Sequence, residues 1–188
     1  MRMNETEKEL VDMVLAGRAE AFEPLTSPYR GRLLALASRL TRDREEALEV
    51  VQETLLRAYR SLGRYDAARP FRNWLFQIAA NEARDRCRQK ARERASFGEA
   101  AGRAPAAEDP ESGQDRRELR DGVRRAMAAL SPREREVFVL RDLEELDILE
   151  TSRALGCSSV SVRVHLSAAR RKMREAIRRD FPHLEVGR

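Results

Sequence analysis

The stretch Leu130 to Ile177, LSPREREVFVLRDLEELDILETSRALGCSSVSVRVHLSAARRKMREAI, decides the fold. Ser131-Pro132-Arg133-Glu134 is a helix start: a serine to cap, a proline where no N–H is needed, and a glutamate placed to reach back. Val137, Phe138, Leu140 and Arg141 continue that helix. Asp147 and Glu150 open another, with Ile148, Thr151, Ser152 and Leu155 on one face. Gly156 ends it, since glycine best tolerates the left-handed conformation at a helix end. Ser158 or Ser159 can cap the next helix, which runs to about Arg179. A short helix, a Gly-containing turn and a second helix form a helix-turn-helix pattern.

Projected around its axis, the last helix places Val162, Leu166, Ala169, Met173 and Ile177 on one side, which must face a core. The opposite side shows Val160, Val164, Ser167, Arg171 and Arg174, with Arg163 and Arg170 on the flanks and Ser159 and Ser161 at the start. The first two turns of that outward face are small and nearly uncharged, and the later turns are cationic. Such a helix can bring its N-terminus to base edges and its later turns to phosphates. Val160 and Val164 suit thymine methyls, and Ser167 suits a base edge or a phosphate. Taken alone, the stretch also fits a plain helical hairpin with a basic surface.

Working outward, the N-terminal half is helix after helix. Leu10, Val11, Val14 and Leu15 form one apolar stripe, and Leu33, Leu34, Leu36, Ala37 and Leu40 another. Asp43 and Glu46 read as the carboxylate form of a capping box. Behind them Ala47, Val50, Val51, Thr54, Leu55, Ala58 and Leu62 fill one helical face, while Glu45, Glu49, Gln52, Glu53 and Leu56 point away from it. Gly63 to Pro70 breaks the pattern. Phe71 to about Arg92 resumes it, with Phe71, Trp74, Leu75, Ile78 and Ala79 inward and Asn81, Arg84, Asp85 and Arg88 more polar. Before the helix-turn-helix, Val123, Met127 and Leu130 form a further stripe.

These patterns predict an all-α protein of two small helical domains joined by a flexible linker. The domains span 5–92 and 117–180, the linker 93–116, and a short tail 181–188. The linker assignment rests on FGEAAGRAPAAEDPESGQD, which has too few large apolar groups to offset the entropy of ordering. Charged residues make up 37% of the 188, and Lys plus Arg exceed Asp plus Glu by 37 to 32. Basic residues gather around 84–94 and 163–179, with a mostly acidic stretch at 99–115 between them. Two basic patches suggest an extended polyanion met at two places, or Arg-rich helices that merely solubilise.

Several classes are disfavoured. The only histidines are His165 and His183, and the two cysteines, Cys87 and Cys157, fall within helical patterns with no CxxC pair. A zinc site needs about four spaced ligands, so no metal and no cofactor are expected. Phosphate-loop, dinucleotide and zinc-protease motifs are missing, which argues against an enzyme. No apolar run approaches the ~20 residues that span a bilayer, and the N-terminus is too polar for a signal peptide. The chain is expected to be cytoplasmic, with reduced cysteines and no membrane insertion.

The stretch at Leu130–Ile177 resembles region four of the extracytoplasmic-function (ECF) sigma factors, with its Leu-Ser-Pro helix start, REV-F-LR helix and ALG turn. DREEALEVVQETLLRAYRSLGRYDAARPFRNWLFQIAANEARDRCRQKAR, residues 43–92, independently resembles region two. The resemblance implies a non-catalytic factor that directs core RNA polymerase to promoters, under stress or envelope control. Asp43, Glu46, Glu49, Gln52 and Glu53 match the helix that docks on the polymerase clamp helices. Arg64, Tyr65, Arg69 and Arg72 fall in or beside the loop that captures a flipped −10 base. Asn73, Asn81, Arg84, Asp85 and Arg88 lie on the helix that follows the single strand. Trp74 and Phe76 are possible stacking platforms, but Trp74 reads as core and Tyr65 is the better candidate. The second domain reads the −35 element and touches the polymerase flap, through the helix carrying Ser159, Val160, Ser161, Arg163, Val164, Ser167, Arg170, Arg171 and Arg174. The acidic linker resembles the segment that threads toward the active centre and RNA exit path. An anti-sigma factor is the further partner the resemblance allows.

The chain departs from the family pattern at Leu149, where an acid is usual, and at Thr151-Ser152, where Ile-Ala is usual. Those changes predict weaker local packing and an exposed Leu149. Val160, Val164 and His165 replace the usual Gly, Ser or Thr, and Arg, leaving the −35 preference open. The competing readings are an operator-binding regulator, which the region-two-like half argues against, and a protein-interaction adaptor that reads no promoter.

Overall fold

The computed structural model describes residues 5–97 and 114–182. Among them the regular structure is entirely helical, in two compact units. The first unit holds α1 (Glu5–Leu15), α2 (Phe22–Thr26), α3 (Arg30–Thr41), α4 (Arg44–Ser61) and α5 (Phe71–Phe97). The second holds α6 (Gln114–Ala128), α7 (Pro132–Phe138), α8 (Ile148–Leu155) and α9 (Ser159–Asp180).

In the first unit α3, α4 and α5 pack on one another. Leu33, Leu36 and Ala37 of α3 meet Ala47, Val50 and Ala58 of α4 and Phe71, Leu75, Phe76, Ala79, Ala80 and Ala83 of α5, all buried. The many alanines let helix axes approach closely, so the large side chains fill the remaining gaps. Thr54 is fully buried on α4, and its hydroxyl donates to the Val50 carbonyl at 2.6 Å. Asp43 caps α4 as expected, accepting from the N–H groups of Glu45 at 2.9 Å and Glu46 at 3.2 Å. The other half of the expected capping box is absent. Glu46 turns toward Arg86 and Lys90 of α5, because two cations offer a carboxylate more than one backbone N–H does.

Two sequence expectations about α5 change. The helix continues to Phe97, past the expected end at Arg92, and α6 begins at Gln114, so both ends of the expected linker are helical. Arg, Glu and Ala are good helix formers, and Gln89 donates to Glu93 at 2.9 Å one turn on. Residues 98–113 of the expected linker lie outside the described residues. Trp74, expected inward, is only half-buried, while Phe76 is fully buried.

In the second unit α9 packs against α6, α7 and α8. Ser131 and Glu134 form a complete capping box at α7, and Asp147 and Glu150 form another at α8. Gly156 ends α8 with φ +59°, and Ser158 rather than Ser159 caps α9, accepting from the Ser161 N–H at 3.1 Å. Cys157 lies in that turn and not within a helix. After α7 the chain widens into a π-turn, Val139–Leu143, which the helix pattern did not signal. Val162, Leu166, Ala169 and Met173 are buried as expected, with Ala176 buried in place of the half-buried Ile177. Thr151 is fully buried and its hydroxyl has no partner, which is the weakened packing expected of a Thr at this position.

Phe181, expected in a tail, belongs to the core of this unit. It is buried against Gly122 of α6, where an added Cβ would lie 2.1 Å from Cε2 of the ring. A glycine inside a helix usually costs about 1 kcal/mol relative to alanine. Here Gly122→Ala is expected to destabilise the protein by about 1–2 kcal/mol instead, because the ring must move. In a Phe181→Ala background the same change is expected to be neutral or stabilising, as read by denaturant unfolding. Thr151→Val is expected to stabilise by about 1 kcal/mol in the same assay, by removing an unpaired buried hydroxyl.

Candidate functional site

The outer face of α4 carries one group of the sequence-derived residues. Glu49, Gln52 and Glu53 are exposed. Asp43 and Glu46 are not on that open face. Lys90 bonds Asp43 at 3.1 Å and Glu46 at 2.8 Å, while Arg86 bridges Glu46 and Glu49. The backbone bond from Glu46 and the bonds from Lys90 hold the Asp43 carboxyl below its usual range. Burial pushes Glu46 up, but the hydrogen bonds from Arg86 and Lys90 outweigh it and the net shift is downward. These two acids therefore clasp α4 to α5. The sequence reading missed two apolar members of the outer face, Leu48 and Tyr59, which are exposed with Leu56 beside Gln52. Leu56 had been placed away from the core, but its part in a surface patch needs the positions of its neighbours to see.

Between α4 and α5 lies an open groove of about 570 Å³, lined in part by Glu49, Gln52, Glu53, Leu56, Glu82 and Asp85. Glu82 is buried at its floor and pairs with Arg57 at 2.5 Å. Burial raises its pKa, against the opposing charge of Arg57.

The loop and α5 carry the second group. Arg64 is exposed, and Tyr65, Arg69, Arg72 and Asn73 are half-buried. Tyr65 packs edge-on against Phe71 with centroids 5.6 Å apart and lies 5.1 Å from Trp74. Its hydroxyl donates to the Arg69 carbonyl, which fixes the loop, and burial pushes its pKa up to about 12. Arg72 stacks over Phe76 at 5.0 Å, so Phe76 sits beneath a cation inside the unit and offers no open face. Asn73, Asn81, Arg84 and Arg88 follow one another on the side of α5 opposite its buried stripe. Asp85, beside them, lies 3.8 Å from Arg88.

The third group lies on α9. Val160, Arg163, Val164, Ser167, Arg171 and Arg174 are exposed, and Ser159 and Ser161 are half-buried at the cap. Arg170 is committed elsewhere: its Nε and Nη2 donate to both oxygens of Asp142 at 2.8 and 2.6 Å. That bidentate pair raises the Arg170 pKa and ties α9 to the π-turn. Leu149 on α8 is 57% exposed, as its departure from the family pattern predicts.

Comparison with known proteins bears on both units. The family Sigma-70 region 2 matches residues 25–93, and Sigma-70, region 4 matches residues 120–173. The RNA polymerase sigma-H factor of Pseudomonas aeruginosa is 29% identical over 186 residues, covering 94% of this chain and 96% of its own. The ECF RNA polymerase sigma factor SigW of Bacillus subtilis is 27% identical over 180 residues, covering 91% and 96%. The RNA polymerase sigma factor CarQ of Myxococcus xanthus is 33% identical over 163 residues, covering 86% and 91%. The chain belongs to the ECF sigma factors. As an ECF sigma factor it is a transcription-initiation factor that works with RNA polymerase at promoters. Among solved structures, CnrH in complex with the cytosolic domain of CnrY matches with a TM-score of 0.65 at 27% identity, covering 94% of this sigma factor and 99% of CnrH. The sigma factor RpoE of Bartonella quintana, solved with the anti-sigma factor NepR, shares the fold at a TM-score of 0.71 and 22% identity, covering 84% and 96%. Among the described residues of this sigma factor, no helix is long and apolar enough to cross a membrane.

The clasp predicts an acid dependence. Asp43 and Glu46 have folded pKa values below their unfolded ones, so their contribution is full above the ordinary carboxylate range and is lost as pH falls below about 4. Glu82 works in the opposite sense, because its raised pKa makes its ionisation costly as pH rises. Glu46→Gln is expected to lower stability at pH 7 by about 1–3 kcal/mol and to flatten the loss between about pH 5 and 3, read by urea unfolding across that range.

Proposed function

We propose that the three residue groups divide the work of initiation. The outer face of α4 docks on core polymerase through Glu49, Gln52 and Glu53, with Leu56, Leu48 and Tyr59 as its apolar centre. An acidic and amide rim around exposed apolar side chains suits a basic partner surface that also buries area. Asp43 and Glu46 act here as positioning residues, because their carboxylates already hold Arg86 and Lys90.

The loop and the polar side of α5 take the melted −10 strand. The observation that carries this is the juxtaposition of half-exposed Tyr65 and Trp74 with Arg64, Arg69, Asn73, Asn81, Arg84 and Arg88 along one side. Aromatic edges and cations together hold unstacked bases without chemistry. Trp74 joins Tyr65 as a stacking candidate, because it stands at the edge of the core and not within it.

The outer face of α9 takes the −35 duplex, with Arg163, Arg171 and Arg174 on phosphates. Arg170 serves mainly to brace that helix through Asp142. The factor acts by binding alone, within the cytoplasm where its polymerase works. A protein antagonist, such as the anti-sigma factor found with RpoE, would hold it in check until a stress or envelope signal arrives.

The test is transcription by sigma-free core polymerase, with and without the purified chain, on fragmented DNA of the source genome. Discrete starts that need the chain are expected. They should vanish when Asn81 and Arg84 are both replaced by Ala, while the variant still binds core. Arg171→Ala is expected to weaken use of all promoters by about three- to tenfold and to reduce their salt dependence. A double variant that still opens promoters would remove α5 from the −10 role.

A further inference from the structure

We propose that this sigma factor reads its −35 duplex through the 5-methyl groups of two thymines about two base steps apart, contacted by Val160 and Val164. The proposal rests on the assignment of α9 to the −35 duplex made above.

Val160 is 65% exposed and Val164 61%, the highest values among the exposed large apolar side chains of the described residues. Nothing in the fold calls for them there. Valine is a modest helix former, and its branched side chain packs on nothing when it faces solvent. Two of the polar side chains nearby, Ser161 and Arg170, are already occupied. The Ser161 N–H and hydroxyl both engage the Ser158 hydroxyl, each at 3.1 Å, as part of the helix cap. The Arg170 guanidinium is taken by both oxygens of Asp142. No amide stands on the first two turns of α9 to pair with adenine, and no carboxylate to accept from cytosine.

What remains at the centre of that face is two isopropyl groups, flanked by the exposed Arg163, Arg171 and Arg174. The thymine methyl is the one apolar group that an unmodified base pair presents in the major groove. Four residues of helix rise about 6 Å, and stacked bases are about 3.4 Å apart, so the two valines match methyls about two steps apart. The flanking cations bind phosphates and set the register. The valines then supply discrimination by burying methyls, and a cytosine at the same place offers no methyl and sets an amino donor beside the isopropyl group.

The experiment uses the full chain assembled with core polymerase. A promoter is first selected from templates randomised across the −35 segment. Each thymine of that segment is then replaced singly by uracil, which removes the methyl and nothing else. Uracil at two positions is expected to lower transcription about three- to fivefold each, the effect of one buried methyl group. Val160→Ala should abolish the sensitivity at one position and Val164→Ala at the other, with thermal unfolding of each variant unchanged. Uracil tolerated at every position, while base-pair changes there still reduce transcription, overturns methyl reading and leaves the −35 assignment standing. Sensitivity to uracil that survives both valine substitutions overturns the assignment to these side chains. Transcription indifferent to the whole −35 sequence overturns the assignment of α9 and this proposal with it.

Discussion

The segment Ser131–Arg135 holds the second unit together by completing the start of its own helix and the ends of two others. A helix leaves backbone groups unpaired at both ends, and a small unit has little apolar core to offset that cost. Ser131 and Glu134 satisfy the start of α7. Arg135, buried, donates to the carbonyls of Met127 at 3.2 Å and Leu130 at 3.1 Å and so closes α6. Arg133 donates to the Leu155 carbonyl at 3.0 Å and closes α8. Glu134 also takes Lys172 of α9 at 2.7 Å. The orientation of α9, and with it the direction its outer face points, follows from side chains that precede it in sequence by more than a helix.

The first unit solves the same problem with charge pairs between α4 and α5. Asp43 at the cap of α4 and Glu46 on it face Arg86 and Lys90 of α5, with Glu49 at the edge between this clasp and the outer face. Neutralising these charges against each other leaves the remaining surfaces of both helices to be set by function. On α4 that surface is apolar with an acidic rim. On α5 it is amide and cationic. One helix pair thus offers two faces of opposite chemistry, as a factor that must touch both a protein and a nucleic acid requires.

Features written in local sequence were legible: the caps at Ser131, Asp147 and Ser158, the left-handed Gly156, and the buried stripe of α9. Their physics acts over three or four residues, which is the reach of a pattern. The features that escaped it depend on partners far along the chain. Glu46 looked like half of a capping box because its competitors, Arg86 and Lys90, lie a helix away. Phe181 looked like tail because Gly122, which leaves room for its ring, lies on α6. The partner of Arg170 was hidden because Asp142 becomes its neighbour only after the π-turn. Trp74 sits on the boundary of a stripe, where a wheel projection cannot separate edge from core.

The π-turn shows how local irregularity and function are joined. The Glu144 N–H reaches back to Val139, and the Leu146 N–H to Leu140, both at 2.9 Å, so the chain widens where a plain helix would have continued. Such turns are rare, and here the Asp142 carboxylate within the turn holds Arg170 of α9. Beyond it the usual packing rules lapse together. Leu149, Val160 and Val164 are exposed although apolar, and Thr151 is buried although polar and unpaired. Other exposed large apolar side chains, Leu48, Leu56 and Tyr59, share the outer face of α4. Leu15 and Leu119 are exposed too, but singly, whereas on the outer faces of α4 and α9 exposed apolar side chains recur at helical spacing, as a surface shaped by something other than its own fold would show. On α4 that agent must be able to cover apolar area with a basic rim, and on α9 it must accept isopropyl groups between cations. A polymerase surface meets the first condition and a methyl-bearing DNA groove the second, so these exceptions to packing are the ones that the proposed division of labour calls for.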